Sequence, residues 1–342
     1  MNEPSPSFDA LARLYEPDHP AVRRHGRRYP VAVSPARLEP HEPPGDRPEP
    51  PGAGAERLVA WTGGTATVDP VLASGGERHR AELARTARAL HDGPVLVLDR
   101  LAGGILHVAR SGYFAMLATA DALRAEYLAG AGGSDGSGSG ASGSDASGAP
   151  ASEGERGLSS MPLRARAHQI AAGGDPILSG AGRAAAVGVS VVTVVPGHAG
   201  PSVVLGRRRD DLATDPGLWH VAPSGMLEPP DPSGRGPGPL LSTVRRELAE
   251  ELGVDAGPLR ISVLGIVHDL LRLRPEVCLR LDLAEEDLPE RLAAEEFGET
   301  ALVELSPTGL ERLWASLPPP ALTPAAAGAL ALVEAREGWR EA

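Results

Sequence analysis

Glu247, Glu250 and Glu251 stand three and four residues apart in Arg246-Glu247-Leu248-Ala249-Glu250-Glu251-Leu252-Gly253-Val254, so a helix would set all three carboxylates on one face. Carboxylates crowded onto one turn raise each other's pKa unless a cation sits among them. A hard divalent ion, Mg²⁺ or Mn²⁺, is the natural occupant. An isolated Glu-Xaa-Xaa-Glu-Glu is more often a solvated acidic face, so the surroundings must decide. Gly253 is a helix stop at the end of that turn.

The surroundings favour chemistry. Arg-Glu-aliphatic-Xaa-Glu-Glu-Xaa-Gly-aliphatic resembles the second half of the Nudix box at every specified position, and Pro216 to Pro229, with Gly225 at its centre, resembles the strand and glycine loop that open it. The resemblance implies a metal-dependent pyrophosphohydrolase, an enzyme acting on acid anhydrides of phosphorus. Glu247, Glu250 and Glu251 would be its metal ligands, and Arg246 would orient a box carboxylate by a bidentate pair. Glu228 occupies a position where relatives can supply a further carboxylate. In many relatives a general base comes from a loop before a late strand, where this chain has Glu295, Glu296 and Glu299. An exposed helix-end role is at least as natural for those three.

The halves of the box are further apart than the family pattern of a glycine, five residues, a glutamate, seven residues and Arg-Glu. Counting from Gly225, the first glutamate position falls on Asp231, and 14 residues, Pro232 to Arg245, separate it from Arg246. The excess is a Pro/Gly segment that cannot continue a helix and reads as an inserted loop. The stretch Ile105 to Ala120 looks like a segment of the UDP-sugar diphosphatase branch of that family, in which an N-terminal module precedes a Nudix domain with a lengthened box. That resemblance implies a nucleoside diphosphate sugar as substrate, split to a nucleoside monophosphate and a sugar 1-phosphate. Two alternatives share the same helix: a module that senses a nucleotide without turnover, and a nucleoside triphosphate pyrophosphohydrolase.

Composition narrows the remaining classes. A net charge of -12 argues against nucleic-acid binding driven by phosphate neutralisation. All 33 basic residues are arginine, which excludes a Walker A lysine, a Schiff base and a lysine general base. The single cysteine, Cys278, lies in an apolar strand as an inert buried thiol, and no internal disulfide can form. No apolar run is long enough to span a bilayer and no hydrophobic leader opens the chain, so the expected location is cytoplasmic, with a small nucleotide as partner.

The elements that must position these residues fall into four regions. Residues 1–55 are rich in Pro, Glu and Arg and read as an irregular tail, its Arg23-Arg24 and Arg27-Arg28 pairs being solvated. Residues 56–130 read as a small α+β unit: strands at Leu58–Thr62, Val95–Asp99 and Ile105–Arg110, helices at Glu77–His91 and Tyr113–Tyr127. Residues 131–160 contain a Gly/Ser spacer. Residues 161–342 hold a β-hairpin (Val187–Val195, Ser202–Gly206), a box helix (Ser242–Leu252), three more strands and two closing helices. Periodicity supports α/β or α+β; the resemblance implies an α+β fold, an α/β/α sandwich with a mixed Nudix-type sheet.

Overall fold

The computed structural model describes residues 8–16, 18–34, 53–86, 90–131, 162–172, 174–197, 200–231, 237–254, 261–284 and 296–340. In chain order the elements are α1 (Asp9–Tyr15), β1 (Ala21–Arg24), β2 (Arg27–Ser34), α2 (Ala53–Glu56), β3 (Val59–Thr65), α3 (Pro70–Thr86), β4 (Pro94–Ala102) and β5 (Ile105–Gly112). A bent helix follows, α4 (Tyr113–Met116) passing through a π turn (Leu117–Asp121) into α5 (Ala122–Ala131), then α6 (Pro162–Ile170). The remainder is β6 (Gly188–Val195), β7 (Ser202–Arg208), β8 (Trp219–Val221), β9 (Ser224–Met226), α7 (Pro239–Glu247) with a π turn (Leu248–Leu252), β10 (Ile261–Asp269), β11 (Arg274–Asp282), β12 (Phe297–Glu304), α8 (Pro307–Ser316) and α9 (Pro324–Arg336).

The main sheet runs β1-β2-β10-β11-β6-β7-β12, with β8 on β7 and β9 on β6. It is mixed, because β11 and β6 are parallel while their other neighbours are antiparallel. Alternation in its central strands makes two faces. Val189, Val191, Val277 and Leu279 face the box helix through Leu240, Val244, Leu248 and Leu252. Val192, Val194 and Cys278 turn the other way, onto Trp314 of α8 and the alanine-rich α9. The sandwich expected from the family resemblance is therefore present.

Two expectations are corrected. Within the supposed tail, Asp9–Tyr15 is a helix and Ala21–Arg24 with Arg27–Ser34 a hairpin, and β2 extends the main sheet by pairing with β10, Val33 opposite Val267. Tyr29, Val31 and Val33 supply the alternation, and Arg24 is not solvated: it is 6% exposed, its Nε donates to Glu334 at 2.7 Å, and its guanidinium lies over Trp314. The expected helix Glu77–His91 instead spans Pro70–Thr86. Asp69 fixes its start, its Oδ1 accepting from the Val71 and Leu72 amides with Pro70 at the first turn. Residues 35–52 of the tail and residues 132–160 of the spacer lie outside the described residues.

The N-terminal unit, a three-stranded sheet β3-β5-β4, shares its core with the main domain. Leu58, Leu96, Leu98, Leu106 and Val108 belong to the same buried cluster as Val189 and Leu248. Backbone hydrogen bonds cross the junction as well, Val187 donating to Leu96 and Leu98 to Ala185, both at 2.9 Å. Glu56 of α2 reaches across to the start of α7, accepting from the Leu241 amide at 2.6 Å and so serving as a cap from outside the helix.

Within the unit, α3 crosses the bent helix so closely that a Cβ at Gly76 would lie 1.7 Å from the Ala118 carbonyl oxygen. Gly76→Ala is expected to cost about 3 kcal/mol of stability, the upper end of overpacking penalties, because backbone must move. A chemical denaturation midpoint within error of wild type would show that the two helices separate freely. Among the described residues no helix is long and apolar enough to cross a membrane.

Candidate functional site

The box helix carries Glu247 at its end, and Glu250 and Glu251 in the following π turn, which Gly253 terminates in the left-handed conformation at φ 68°. Their environments differ sharply. Glu251 is 1% exposed; one carboxylate oxygen, Oε2, accepts from the Ser224 amide at 2.9 Å, and the other, Oε1, is buried without a hydrogen-bond partner. Glu247 is 8% exposed and lies against β9, where a Cβ at Gly225 would come within 2.0 Å of its Oε1. Only glycine leaves room for that carboxylate. Glu250 is exposed and accepts from Arg246 Nη1 at 3.0 Å.

Arg246 gathers the acidic groups. Its Nη2 is 2.9 Å from Glu247 Oε1 and 3.1 Å from Glu228 Oε1, while Nη1 holds Glu250. Burial pushes the Glu247 carboxyl up to about 8, Arg246 opposing and Glu296, Glu250 and Glu228 adding. Burial likewise drives Glu251 well above the usual carboxylate range, with Glu247 and Glu296 adding and the Ser224 amide and Arg208 opposing. Among the described residues no three acidic, imidazole or thiol groups already converge on one point. Arg246 holds Glu228, Glu247 and Glu250 in their present places, and Glu251 points to Ser224. The residues nevertheless fit a hard cation: an unpartnered buried carboxylate oxygen, and two buried carboxyls that only added positive charge would ionise together.

All of these groups except Glu251 line a cavity of about 420 Å³. Gly225, Glu228, Arg246, Glu247 and Glu250 are there, with Glu296 as the one late-loop acid among the described residues that joins them. Glu296 lies 3.3 Å from Arg208 Nη1, and Arg208 also donates to the Thr214 carbonyl at 3.1 Å. Glu299 is exposed on β12 opposite Arg207, away from the cavity wall, and Asp231 is exposed and does not line it. Glu295 lies outside the described residues. Arg207 and Arg209 pair with Asp210 and Asp211 at the surface, which leaves Arg208 as the member of that triplet turned to the cavity.

His220 also lines the cavity; burial lowers it to about 3, with Arg208, Arg274 and Arg272 adding and Asp215 opposing, so its ring is neutral and Nδ1 has no hydrogen-bond partner. Sequence reasoning missed the rest of the lining. Arg274 and Glu276 come from β11, and Leu90, His91, Pro94 and Tyr113 come from the N-terminal unit. The signal for the first pair was present: Arg272, Arg274 and Glu276 interrupt an apolar stretch at alternate positions, where a buried strand would place hydrophobes. Nothing local marks the second group, which only the tertiary fold brings to the box.

Comparison with known proteins gives a family match over residues 184–315 to the NUDIX domain. No curated protein matches the chain. Among solved structures, a MutT protein from Methanosarcina mazei is 21% identical over 45% of this chain and 97% of its own, with a TM-score of 0.32. The NUDIX domain of Shewanella oneidensis NrtR, complexed with ADP ribose, is 23% identical over 46% of this chain and 90% of its own, with a TM-score of 0.33. A MutT/nudix family protein from Enterococcus faecalis is 18% identical over 34% of this chain, with a TM-score of 0.27, and the chain covers only 43% of its length.

Proposed function

We propose that the Nudix domain this chain carries at residues 184–315 is a Mg²⁺- or Mn²⁺-dependent pyrophosphohydrolase acting on a nucleoside diphosphate linked to another moiety, with a UDP-sugar, split to UMP and sugar 1-phosphate, as its specific substrate. The family match and the carboxylate face support the pyrophosphohydrolase. The single observation that carries the reading is the buried pair Glu247 and Glu251 beside exposed Glu250, with the Glu251 Oε1 unpartnered and with Glu247 and Glu250 lining the cavity. The sugar nucleotide is supported by the lengthened box connection and by the wall that the N-terminal unit lends to the cavity, beyond what a minimal domain would need.

A diphosphate diester is anionic and resists attack by water, so the site must offset charge, activate water and hold both in line. Glu247, Glu250 and Glu251 would hold the divalent ion, which when bound supplies charge neutralisation and a more acidic water. The rest falls to the chain. Arg246 positions Glu247 and Glu250, the Ser224 amide fixes Glu251, and Gly225 keeps the backbone clear of Glu247. Glu296, held by Arg208 at 3.3 Å, is the residue that takes the proton from the attacking water.

The test is product analysis on UDP-sugars, ADP-ribose, NADH and nucleoside triphosphates with Mg²⁺ or Mn²⁺, comparing wild type with Glu250→Gln and Glu251→Gln. Hydrolysis should fall by on the order of 10²–10³ in each variant, as when a preorganised charge-stabilising group is removed. Turnover of triphosphates in preference to every diphosphate derivative would replace the substrate class. Nucleotide binding without any turnover would make the domain a sensor.

A further inference from the structure

A second charged centre lies in the same cavity, on a strand other than those of the box. Arg274 opens β11 at 9% exposure and lines the cavity. Its Nη2 stands 3.9 Å from Glu276 Oε2, and its Nε and Nη1 are buried with no hydrogen-bond partner. Other buried arginines of this chain spend their donors. Arg272 holds three aspartates, Arg164 holds the Tyr15 hydroxyl and two carbonyls, and even Arg183, which also leaves Nε and Nη1 unpaired, gives its Nη2 to three carbonyls.

Arg274 makes no such bond: the facing Glu276 oxygen, Oε2, stays 3.9 Å away, while Glu276 Oε1 accepts from the Ser190 hydroxyl. Tyr113, the first residue of α4, lines the same cavity from the N-terminal unit, and its hydroxyl makes no hydrogen bond within the described residues. A guanidinium fork with free donors, in a cavity that also holds a free phenol, matches a tetrahedral oxyanion bearing several acceptor oxygens.

We propose that Arg274, with Tyr113 lining the same cavity from the N-terminal unit, forms an anion subsite that takes the phosphoryl group of the substrate not held at the box carboxylates. The identity of that anion rests on the pyrophosphohydrolase reading; the cationic centre itself stands on geometry. Such a subsite makes the N-terminal unit part of the substrate site, and it orients the diphosphate so that one defined phosphorus faces the carboxylate wall.

The experiment is calorimetric titration of the full chain with methylenediphosphonate, a non-hydrolysable diphosphate, in EDTA, alongside steady-state kinetics on the substrate found by the panel. Wild type should bind the diphosphonate without metal. Arg274→Gln should weaken binding at least about tenfold, the worth of a charge-assisted hydrogen bond, and raise KM by a similar factor while kcat changes less than about threefold. Arg274→Lys, which keeps the charge but not the fork, should recover only part of the loss. If Arg274→Gln does not fold, Tyr113→Trp, which fills part of the same cavity, must weaken binding by the same factor. Absence of metal-free binding by wild type, or an unchanged affinity in a folded Arg274→Gln, overturns the subsite. Diphosphonate binding that depends on Arg274 in a protein with no hydrolysis would overturn the enzymatic reading and leave the subsite standing.

Discussion

Arg272→Leu is expected to cost on the order of 3–5 kcal/mol of folding stability, a large part of what a domain possesses. Arg272 is completely buried, with Nε donating to Asp121 at 2.7 Å, Nη1 to Asp269 at 2.8 Å and Nη2 to Asp215 at 2.9 Å. The three acids come from the π turn of the bent helix, the end of β10 and the loop before β8. One guanidinium therefore ties the N-terminal unit, the sheet and the cavity rim together. Leucine would fill much of the volume but leave three carboxylates buried, only partly offset by Arg124, 3.4 Å from Asp215, and His79, 2.7 Å from Asp121.

The pair Arg166 and Asp69, whose arginine side chain is 38% exposed, is the control: Arg166→Ala should shift the midpoint far less. Urea denaturation of both variants decides, and an Arg272→Leu midpoint as close to wild type as the control would refute the hub. Acid gives a second view. Burial alone would raise Asp121, but Arg272, His79 and Arg124 outweigh it and hold the carboxyl down to about 2. A depressed folded pKa contributes stability above the unfolded value of 3.8 that is lost as pH falls toward about 2, and this acid limb should vanish in the variant.

The second large effect runs in the opposite direction. Glu247→Gln is expected to abolish hydrolysis and to stabilise the metal-free protein at pH 8. The folded carboxyl titrates near 8, against an ordinary value of 4.5. A raised carboxyl pKa contributes stability that is complete below 4.5 and lost as pH climbs through about 8. The interval corresponds to on the order of 3–5 kcal/mol. Glutamine is uncharged throughout and escapes that loss. Melting wild type and variant in EDTA at pH 5 and pH 8 isolates the contribution of this residue. Equal pH dependence in the two proteins would remove the argument. Added Mg²⁺ should raise the wild-type Tm at pH 8 and leave the variant nearly unmoved, since binding stabilises only the protein that binds.

What the sequence disclosed, and what it withheld, follows from how local each signal was. The box turn was legible because helical spacing and a glycine stop are contained in nine residues. The closing helices were legible because Ser306 and Thr323 cap them with prolines just after. The start of α3 was obscured by Gly75 and Gly76, which read as breakers, whereas Gly76 is required by the closeness of Ala118. The hairpin β1-β2 was hidden by its arginines, of which Arg24 is buried against Glu334, 310 residues away. Likewise, the start of α7 takes its cap from Glu56, and a search for Ser or Thr beside the helix points to Ser242, inside it. Of the rest of the site, Arg274 and Glu276 left a signal in an interrupted apolar stretch, whereas Tyr113 left none, because only the folded chain brings it to the cavity.

The pairing of β2 with β10 also orders events in time. Val31 and Val33 pair with Asp269 and Val267, and among the described residues β2 has no other sheet neighbour except β1. On a ribosome the hairpin therefore waits, its apolar face uncovered, until more than two hundred further residues have been made. Pairing at such separation slows closure and leaves a sticky edge exposed meanwhile. The arginines of β1 and β2 then have a use before folding ends: charge on a waiting edge discourages it from joining the wrong chain.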